Sequence, residues 1–484
     1  MSTSSKCLAF NNINPHLRDV QLNFREQLDI LSEEYEANSL NNDTFLPFNR
    51  VVSANIGNPQ KLGQKPITFF RQVLSILQYP DLLENEDILL NKLGYKPDVL
   101  ERARTLLRAV GSLGVYTAIN GIPEVRKSIA NFLERRDGHT ADPEDIYLSS
   151  GTSSAMLTLL NTICDKPTTG VLIPLPQHPP YIAMLSLFGA EPVPYYLDKS
   201  KNWETDLEAV KGAHEKAKRR GIEVRAIIII NPGNLTSACL SVEDIEAFFD
   251  FAVKERLVII ADEVYQANIF KDNFYSFKRV LRDLQLSYPN KYNNVELASL
   301  HSVSMGITGE GGQRGGFLEL VGFNPAVQFH IYKLISFTNY CPTTAQCLIE
   351  LMVNPPREGS LSYEQYKKEN SDIFANLKKI SFSLYGAFKQ MEGVECDEPQ
   401  GSMYIFPTIK LPDRFLQAAN IRGQTPDEFY AIRLLKDTGI CVMPSFGLNQ
   451  NKGTLRFRAT PLAFNSELVS ALEKFHHKFI NEFY

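Results

Sequence analysis

Five short segments hold the side chains that could do chemistry, and each follows an apolar run of strand length. In L-S-S-G-T-S-S-A-M, Gly151, Thr152 and Ser153 stand between such a run and an apolar helix-forming stretch. Free backbone N–H groups, small hydroxyls and the positive end of a helix make that an anion site; the plainer alternative is a glycine turn with a serine cap. P-L-P-Q-H-P-P-Y sets His178 and Tyr181 in a proline-punctuated loop. N-P-G-N-L-T-S presents Asn231 and Asn234, and asparagine is first of all a turn former. In A-D-E-V-Y-Q a buried apolar run ends in Asp262 and Tyr265. A carboxylate there is expensive unless a cation or a hydrogen-bond donor faces it. The reading divides between a structural salt bridge and a protonated ring nitrogen whose ring then serves as an electron sink. Last, H-S-V-S-M-G followed by G-G-Q-R-G-G sets Ser302, Ser304 and Arg314 where hydroxyls and a guanidinium could grip a phosphate.

The elements that must position these residues follow a βαβ rhythm. Short apolar runs bounded by Pro, Gly or Asn predict strands at 145–148, 170–175, 225–230, 257–262, 295–301 and 318–322, the kind buried on both faces of a mostly parallel sheet. Helix-forming stretches lie between them at 153–164, 205–219 and 242–255. Ligands in such α/β domains gather at the carboxyl ends of the strands, where all five segments fall. Past a Pro- and Gly-containing turn at 354–360 the chain turns helical over 363–391 and then mixed. Three parts are expected: an N-terminal segment, 1–75, contributing to a small domain; a large domain, 76–355; and a C-terminal small α+β domain, 356–484.

Composition narrows the function classes. At 484 residues with 44% hydrophobic and 22% charged side chains, the chain is globular and long enough for two cores. A formal charge of -5 offers no basic excess for a nucleic-acid backbone. Seven scattered cysteines without a C-x-x-C pair read as reduced thiols. Apolar runs stay far below the ~20 residues that span a bilayer. The N-terminal M-S-T-S-S-K-C-L-A-F has no signal-type apolar region, and no arginine precedes Arg18, so the expected location is cytoplasmic, with no membrane or nucleic-acid partner.

The order and spacing of these segments, with the strings A-N-I-G-N-P-Q, P-I-T-F-F-R-Q-V-L, E-R-R-D-G, Q-R-G-G, P-Q-G-S-M-Y and T-G-I-C-V, resemble alanine aminotransferases of the pyridoxal-phosphate fold type I superfamily from about Asn55 to the C-terminus. The resemblance implies a large domain with a mostly parallel sheet flanked by helices plus a smaller α+β domain. It implies pyridoxal 5'-phosphate or its pyridoxamine form as cofactor. Thr152, Ser153, Ser302 and Arg314 would hold the phosphate, Asp262 the ring nitrogen, Asn234 and Tyr265 the ring 3-hydroxyl. His178 would stack on the ring, and Arg458, in R-F-R-A-T, would pair with the carboxylate of an amino acid or 2-oxo acid. Tyr116 matches a residue lent to the neighbouring subunit's phosphate, which implies a homodimer.

One position breaks the pattern. The family's S-x-S-K-G carries the Schiff-base lysine, and here Met305 stands in its place. A thioether neither condenses with an aldehyde nor moves a proton, so both tasks of that amine disappear. Further departures are Leu235 and Ser237 in the asparagine loop, His178 and Pro180 in the proline loop, and Ser445 and Phe446 on the substrate side; their scatter favours natural divergence over an engineered knock-out. The leading expectation is an alanine aminotransferase-like protein that binds its cofactor non-covalently and is defective in standard transamination. The alternatives are a repurposed enzyme working without the lysine and a conventional alanine aminotransferase. A dinucleotide-binding dehydrogenase is disfavoured, because G-E-G-G-Q-R-G-G does not fit G-x-G-x-x-G.

Overall fold

The computed structural model describes residues 8, 10, 12–18, 20, 25–41, 46–176, 180–198, 205–234, 238–271, 273–338, 340–445 and 454–483. His178, Leu235, Ser237 and Phe446 lie outside these residues. A seven-stranded sheet forms the centre, in the order Ile146–Ser149, Gly316–Val321, Leu297–Ser302, Val258–Asp262, Glu223–Ile230, Thr169–Leu175, Glu191–Tyr196. All neighbours pair in parallel except Gly316–Val321, which runs antiparallel to the strand on either side. The predicted strands are found within one or two residues of their expected ends.

The run Ile227 to Ile229 explains why periodicity there is continuous rather than alternating. Ile227 and Ile229 enter one apolar cluster with Ile259, Ala261 and Leu297, while Ala226 and Ile228 enter another, across the sheet, with Ile260, Ala298 and Leu300. The strand Glu191–Tyr196 was not foreseen. It is an edge strand carrying Pro192 and Pro194, and proline cannot donate to a ladder, so its sequence reads as a breaker.

Helices follow their local signals. The helix Val242–Glu255 starts at a reciprocal Ser241–Asp244 capping box, and Leu207–Arg219 starts where Asp206 accepts from the Glu208 N–H. The 28-residue helix Tyr363–Gln390 covers the stretch expected at 363–391.

A separate core gathers the last third of the chain with parts of the first sixty residues: Leu28, Val52 and Ala54 pack with Leu384, Phe429, Leu435 and Phe479. Backbone pairing reinforces this, since Val52–Ser53 lies parallel to Ile440–Cys441. A four-stranded sheet, Met443–Pro444, Thr454–Arg458, Thr408–Lys410 and Val394–Glu395 in that order, belongs to the same region. The boundary expected after residue 75 lies inside the helix Thr68–Gln78, whose Phe69, Phe70, Val73 and Leu77 pack with the helices Pro97–Val110 and Pro123–Asp137.

Phe415 anchors the C-terminal core. Its ring is buried and lies 5.4 Å from Phe429, 5.3 Å from Phe479 and 5.4 Å from Phe483. Removing such a ring leaves a void that the neighbours fill only in part, so Phe415→Ala should lower the unfolding free energy by about 3–5 kcal/mol in a urea titration.

Candidate active site

The carboxyl end of Val258–Asp262 delivers the costliest group. Asp262 is 6% exposed; its Oδ2 accepts from the Tyr181 hydroxyl and its Oδ1 from the Val264 N–H at 3.3 Å. Burial pushes the Asp262 carboxyl above its ordinary value, and the bonds from Tyr181 and Val264 pull it back. Tyr181 is pushed well up in turn, first by burial and then by the Asp262 charge, so it stays a donor. Tyr181 was visible in the sequence within P-Q-H-P-P-Y but received no role there; nothing in its spacing says which strand end it reaches.

Three residues later the chain bends back, and Tyr265 is buried beside the Asp262 strand. Its hydroxyl accepts from Asn234 Nδ2 at 3.3 Å. The other end of that carboxamide accepts from Arg458 Nη1 at 3.1 Å, so one asparagine side chain spans a phenol and a guanidinium. Arg458 is 6% exposed, donates through Nη2 to the Asn55 carbonyl at 3.1 Å, and lies 4.2 Å over the Tyr404 ring. Its Nε is buried without a hydrogen-bond partner among the described residues. Tyr404, in P-Q-G-S-M-Y, is a second residue without a role in the sequence reading; its ring also meets Tyr265 edge-on at 6.3 Å, and its hydroxyl accepts from the Gly57 N–H at 3.1 Å.

The anion side is built from backbone. Gly151, at φ +100°, ends the turn after Ile146–Ser149 and opens the helix Thr152–Ile163, so Thr152 and Ser153 stand at its first positions. A Cβ on Gly151 would come within 3.1 Å of Arg314 Nη2 and 4.0 Å of Ser304 Oγ, which fixes these three residues around one small space. Arg314 is held by the carbonyls of Ser150 (2.9 Å) and Gly311 (3.1 Å). Ser302 is 2% exposed, and its hydroxyl donates to the Gly315 carbonyl at 3.0 Å while accepting from the Ser304 N–H at 3.0 Å. The proton of Ser302 is thus committed to the loop, and Ser304 is the hydroxyl beside Arg314.

Met305 is half-buried and packs against a cluster of Val264, Tyr265, Phe270, Met403 and Tyr404. A Cβ on Gly57 would meet its sulfur at 3.5 Å. Gly306 follows at φ +73°, where a Cβ would press to 2.7 Å of Asn268 Oδ1, so the turn admits only glycine. Asp262, Tyr265, Asn234, Arg458 and Met305 are thereby brought together, with Thr152, Ser153, Ser304 and Arg314 at a helix N-terminus. Tyr116 points away from this chain: it is 93% exposed, its ring 6.0 Å from that of Tyr340.

Chemically, the arrangement offers an anion seat, a buried carboxylate for a cationic ring nitrogen, and a guanidinium with an unused Nε for a carboxylate.

Comparison with known proteins identifies the family. The family model for aminotransferase class I and II matches residues 85–473. The chain belongs to that family. It is 44% identical over 481 residues to the Saccharomyces cerevisiae "Alanine aminotransferase, mitochondrial", covering 98% of this chain and 81% of that protein. It is 43% identical to the "Inactive alanine aminotransferase" of the same organism, covering 98% of this chain and 94% of the other. A Dictyostelium discoideum "Probable alanine aminotransferase, mitochondrial" is 38% identical, covering 99% and 91%. Among solved structures, an alanine aminotransferase from Pyrococcus furiosus superposes with a TM-score of 0.73 at 19% identity, covering 97% of this chain and all of that one, a likeness of fold. The chain is therefore an alanine aminotransferase-like member of fold type I. The cytoplasmic expectation gains no support from relatives whose names read mitochondrial; no helix among the described residues is long and apolar enough to cross a membrane.

Beside Asp262 a second carboxyl is titratable near neutrality. Glu263 is 1% exposed, accepts from the Phe277 N–H at 2.8 Å, and is pushed up to about 7 from 4.5 by burial, against the pull of Arg136. A folded value above the unfolded one means that the native state holds the proton through this window, so stability falls as pH rises from about 4.5 to about 7. Urea unfolding from pH 4.5 to 8 should show that slope, and Glu263→Gln should flatten it.

Proposed function

We propose that this chain binds pyridoxal phosphate or pyridoxamine phosphate non-covalently, together with an amino acid or 2-oxo acid, and is deficient in standard transamination. One observation carries the reading: the side chain at the position expected to hold the Schiff-base lysine is Met305, packed among apolar neighbours and bearing no nitrogen. Family membership supplies the cofactor class, and the retained pocket supports binding.

Bound there, the cofactor would supply an aldehyde that captures amines and a ring that accepts electrons. The protein residues do the rest. Asp262 holds a proton-bearing ring nitrogen while Tyr181 keeps that carboxylate oriented. Asn234 and Tyr265 would receive the ring hydroxyl, and His178, which lies outside the described residues, would by family resemblance stack on the ring. Thr152, Ser153 and Arg314 would take the phosphate, with the Ser304 hydroxyl beside Arg314 as a donor in place of Ser302, whose proton goes to the Gly315 carbonyl. Arg458, fixed by Asn234 and the Tyr404 face, offers Nε to a substrate carboxylate. No residue in this set replaces the lysine amine as proton carrier, and loss of a positioned base lowers rates by roughly 10²–10⁴-fold.

The exposed Tyr116 fits a homodimer in which each chain completes the other's phosphate site. The reading keeps a three-part division of the chain, an N-terminal segment serving the small domain, a large domain to 355 and a small domain over 356–484, with the first boundary moved from 75 to before the helix Thr68–Gln78. The relative named inactive, 43% identical, fits a branch in which the fold outlasts the reaction.

The test is absorbance of the purified protein with pyridoxal phosphate before and after borohydride, beside Met305→Lys. Saturable binding without a borohydride-fixed bond is expected for the parent. The variant should gain the fixed bond and exchange amino groups at least ~10²-fold faster. A fixed adduct on another lysine of the parent, or turnover equal to the variant, would overturn the reading.

A further inference from the structure

The E-R-R-D-G segment ends the helix Pro123–Asp137. Within it Asp137 is buried, and the Arg136 side chain, 14% exposed, has its donors engaged. Arg136 makes two bonds to Asp137, Nε to Oδ1 and Nη2 to Oδ2, each 2.7 Å, and its Nη1 donates to Gln266 Oε1 at 2.9 Å. Glu263 Oε2 lies 3.8 Å from the same Nη1. The guanidinium is sandwiched between the Phe132 ring at 5.9 Å and the Phe274 ring at 5.8 Å. Asp137 also accepts from Ser276 Oγ at 2.7 Å, and Ser276 caps the helix Phe277–Ser287, whose Phe277 N–H binds Glu263.

Both residues that flank the ring-facing pair are therefore fastened. Glu263 follows Asp262 in the chain, and Gln266 follows Tyr265; the Val264 N–H between them binds Asp262 Oδ1. A turn held at its last residue by a bond from Arg136 and at its first by the Phe277 N–H, with the Arg136 charge 3.8 Å away, leaves Asp262 and Tyr265 little freedom to swing.

The geometry points to Arg136 and Asp137 as positioning residues: a buried clamp that fixes the turn 263–266 and through it the aim of Asp262 and Tyr265. This rests on the cofactor reading above for its purpose, though the clamp itself exists without cofactor. The wider chamber is consistent with a tuned element rather than filler. Lys278 pairs with Glu319, and the carboxylates of Asp137, Glu263 and Glu319 outnumber the cations Arg136 and Lys278 by one, an excess that a proton on Glu263 removes. His301, stacked on Phe132 in the same chamber, is driven down to about 3 by burial and then by Arg136, and stays neutral.

The experiment compares the parent with Arg136→Met/Asp137→Asn, which removes the clamp's charge pair together and leaves no lone charge between its members. Lys278→Met/Glu319→Leu is the control, a nearby ion pair buried at least as deeply that makes no bond to the turn. Hydrogen–deuterium exchange without cofactor reads the amides of 263–268. They should exchange at least tenfold faster in the clamp variant and within twofold of the parent in the control, and pyridoxamine phosphate should bind at least tenfold more weakly to the clamp variant alone. Exchange unchanged in the clamp variant, or equally fast in the control, overturns the clamp. Should the double variant not fold, Ser276→Ala, which removes one bond to Asp137, replaces it, with a several-fold acceleration expected and none overturning the idea. Parent and clamp variant binding pyridoxamine phosphate equally well also overturns it. A parent that shows no saturable binding removes the cofactor reading instead, while the exchange result still decides the clamp.

Discussion

A carboxylate at the end of a strand buried on both faces is tolerable only when donors meet it from fixed directions. Asp262 is in that position, and much of the pocket answers to it. Tyr181 reaches it from the helix Pro180–Leu187, the Val264 N–H from its own turn, and that turn is tied to the end of another helix through Arg136. Any of these contacts removed would leave charge in a dry place or let it drift.

A similar economy governs the carboxylate-seeking end. Asn234 is a single carboxamide with two engaged ends, a phenol on one and a guanidinium on the other, so Tyr265 and Arg458 are set relative to each other although 193 residues separate them in the chain. Arg458 stands between Phe457 and Ala459 of the C-terminal core, and Tyr265 in the turn that follows the central strand Val258–Asp262. The pocket is thus assembled where two cores meet, and the Asn55 carbonyl, close to the Val52–Ser53 pairing, joins the N-terminal segment to it.

Much of this was legible because strand ends punctuate themselves. Gly151 and Asp262 close apolar runs with groups that a plain strand would not carry, Tyr265 follows three residues on, and Arg314 stands in a glycine-rich loop before the next run. Contacts between distant segments left no such mark. Tyr181 and Tyr404 read as ordinary aromatics, since their importance comes from which loop faces which. Arg136 sat within a familiar string but at a helix end, where a basic residue is unremarkable. The edge strand Glu191–Tyr196 was hidden by its prolines, and Ser302 looked like a phosphate ligand because sequence spacing cannot tell that its proton is already taken by Gly315.

Met305 has nearly the stem length of lysine, packs against apolar and aromatic neighbours, and buries no charge of its own. On the proposed reading, reactivity and foldedness are separable properties in this molecule. Yield, solubility, melting temperature and circular dichroism would all rank it beside a working transaminase. On that reading, only a measurement sensitive to the missing nitrogen distinguishes the two, and surveys that infer enzyme content from protein abundance would count such a chain on the wrong side.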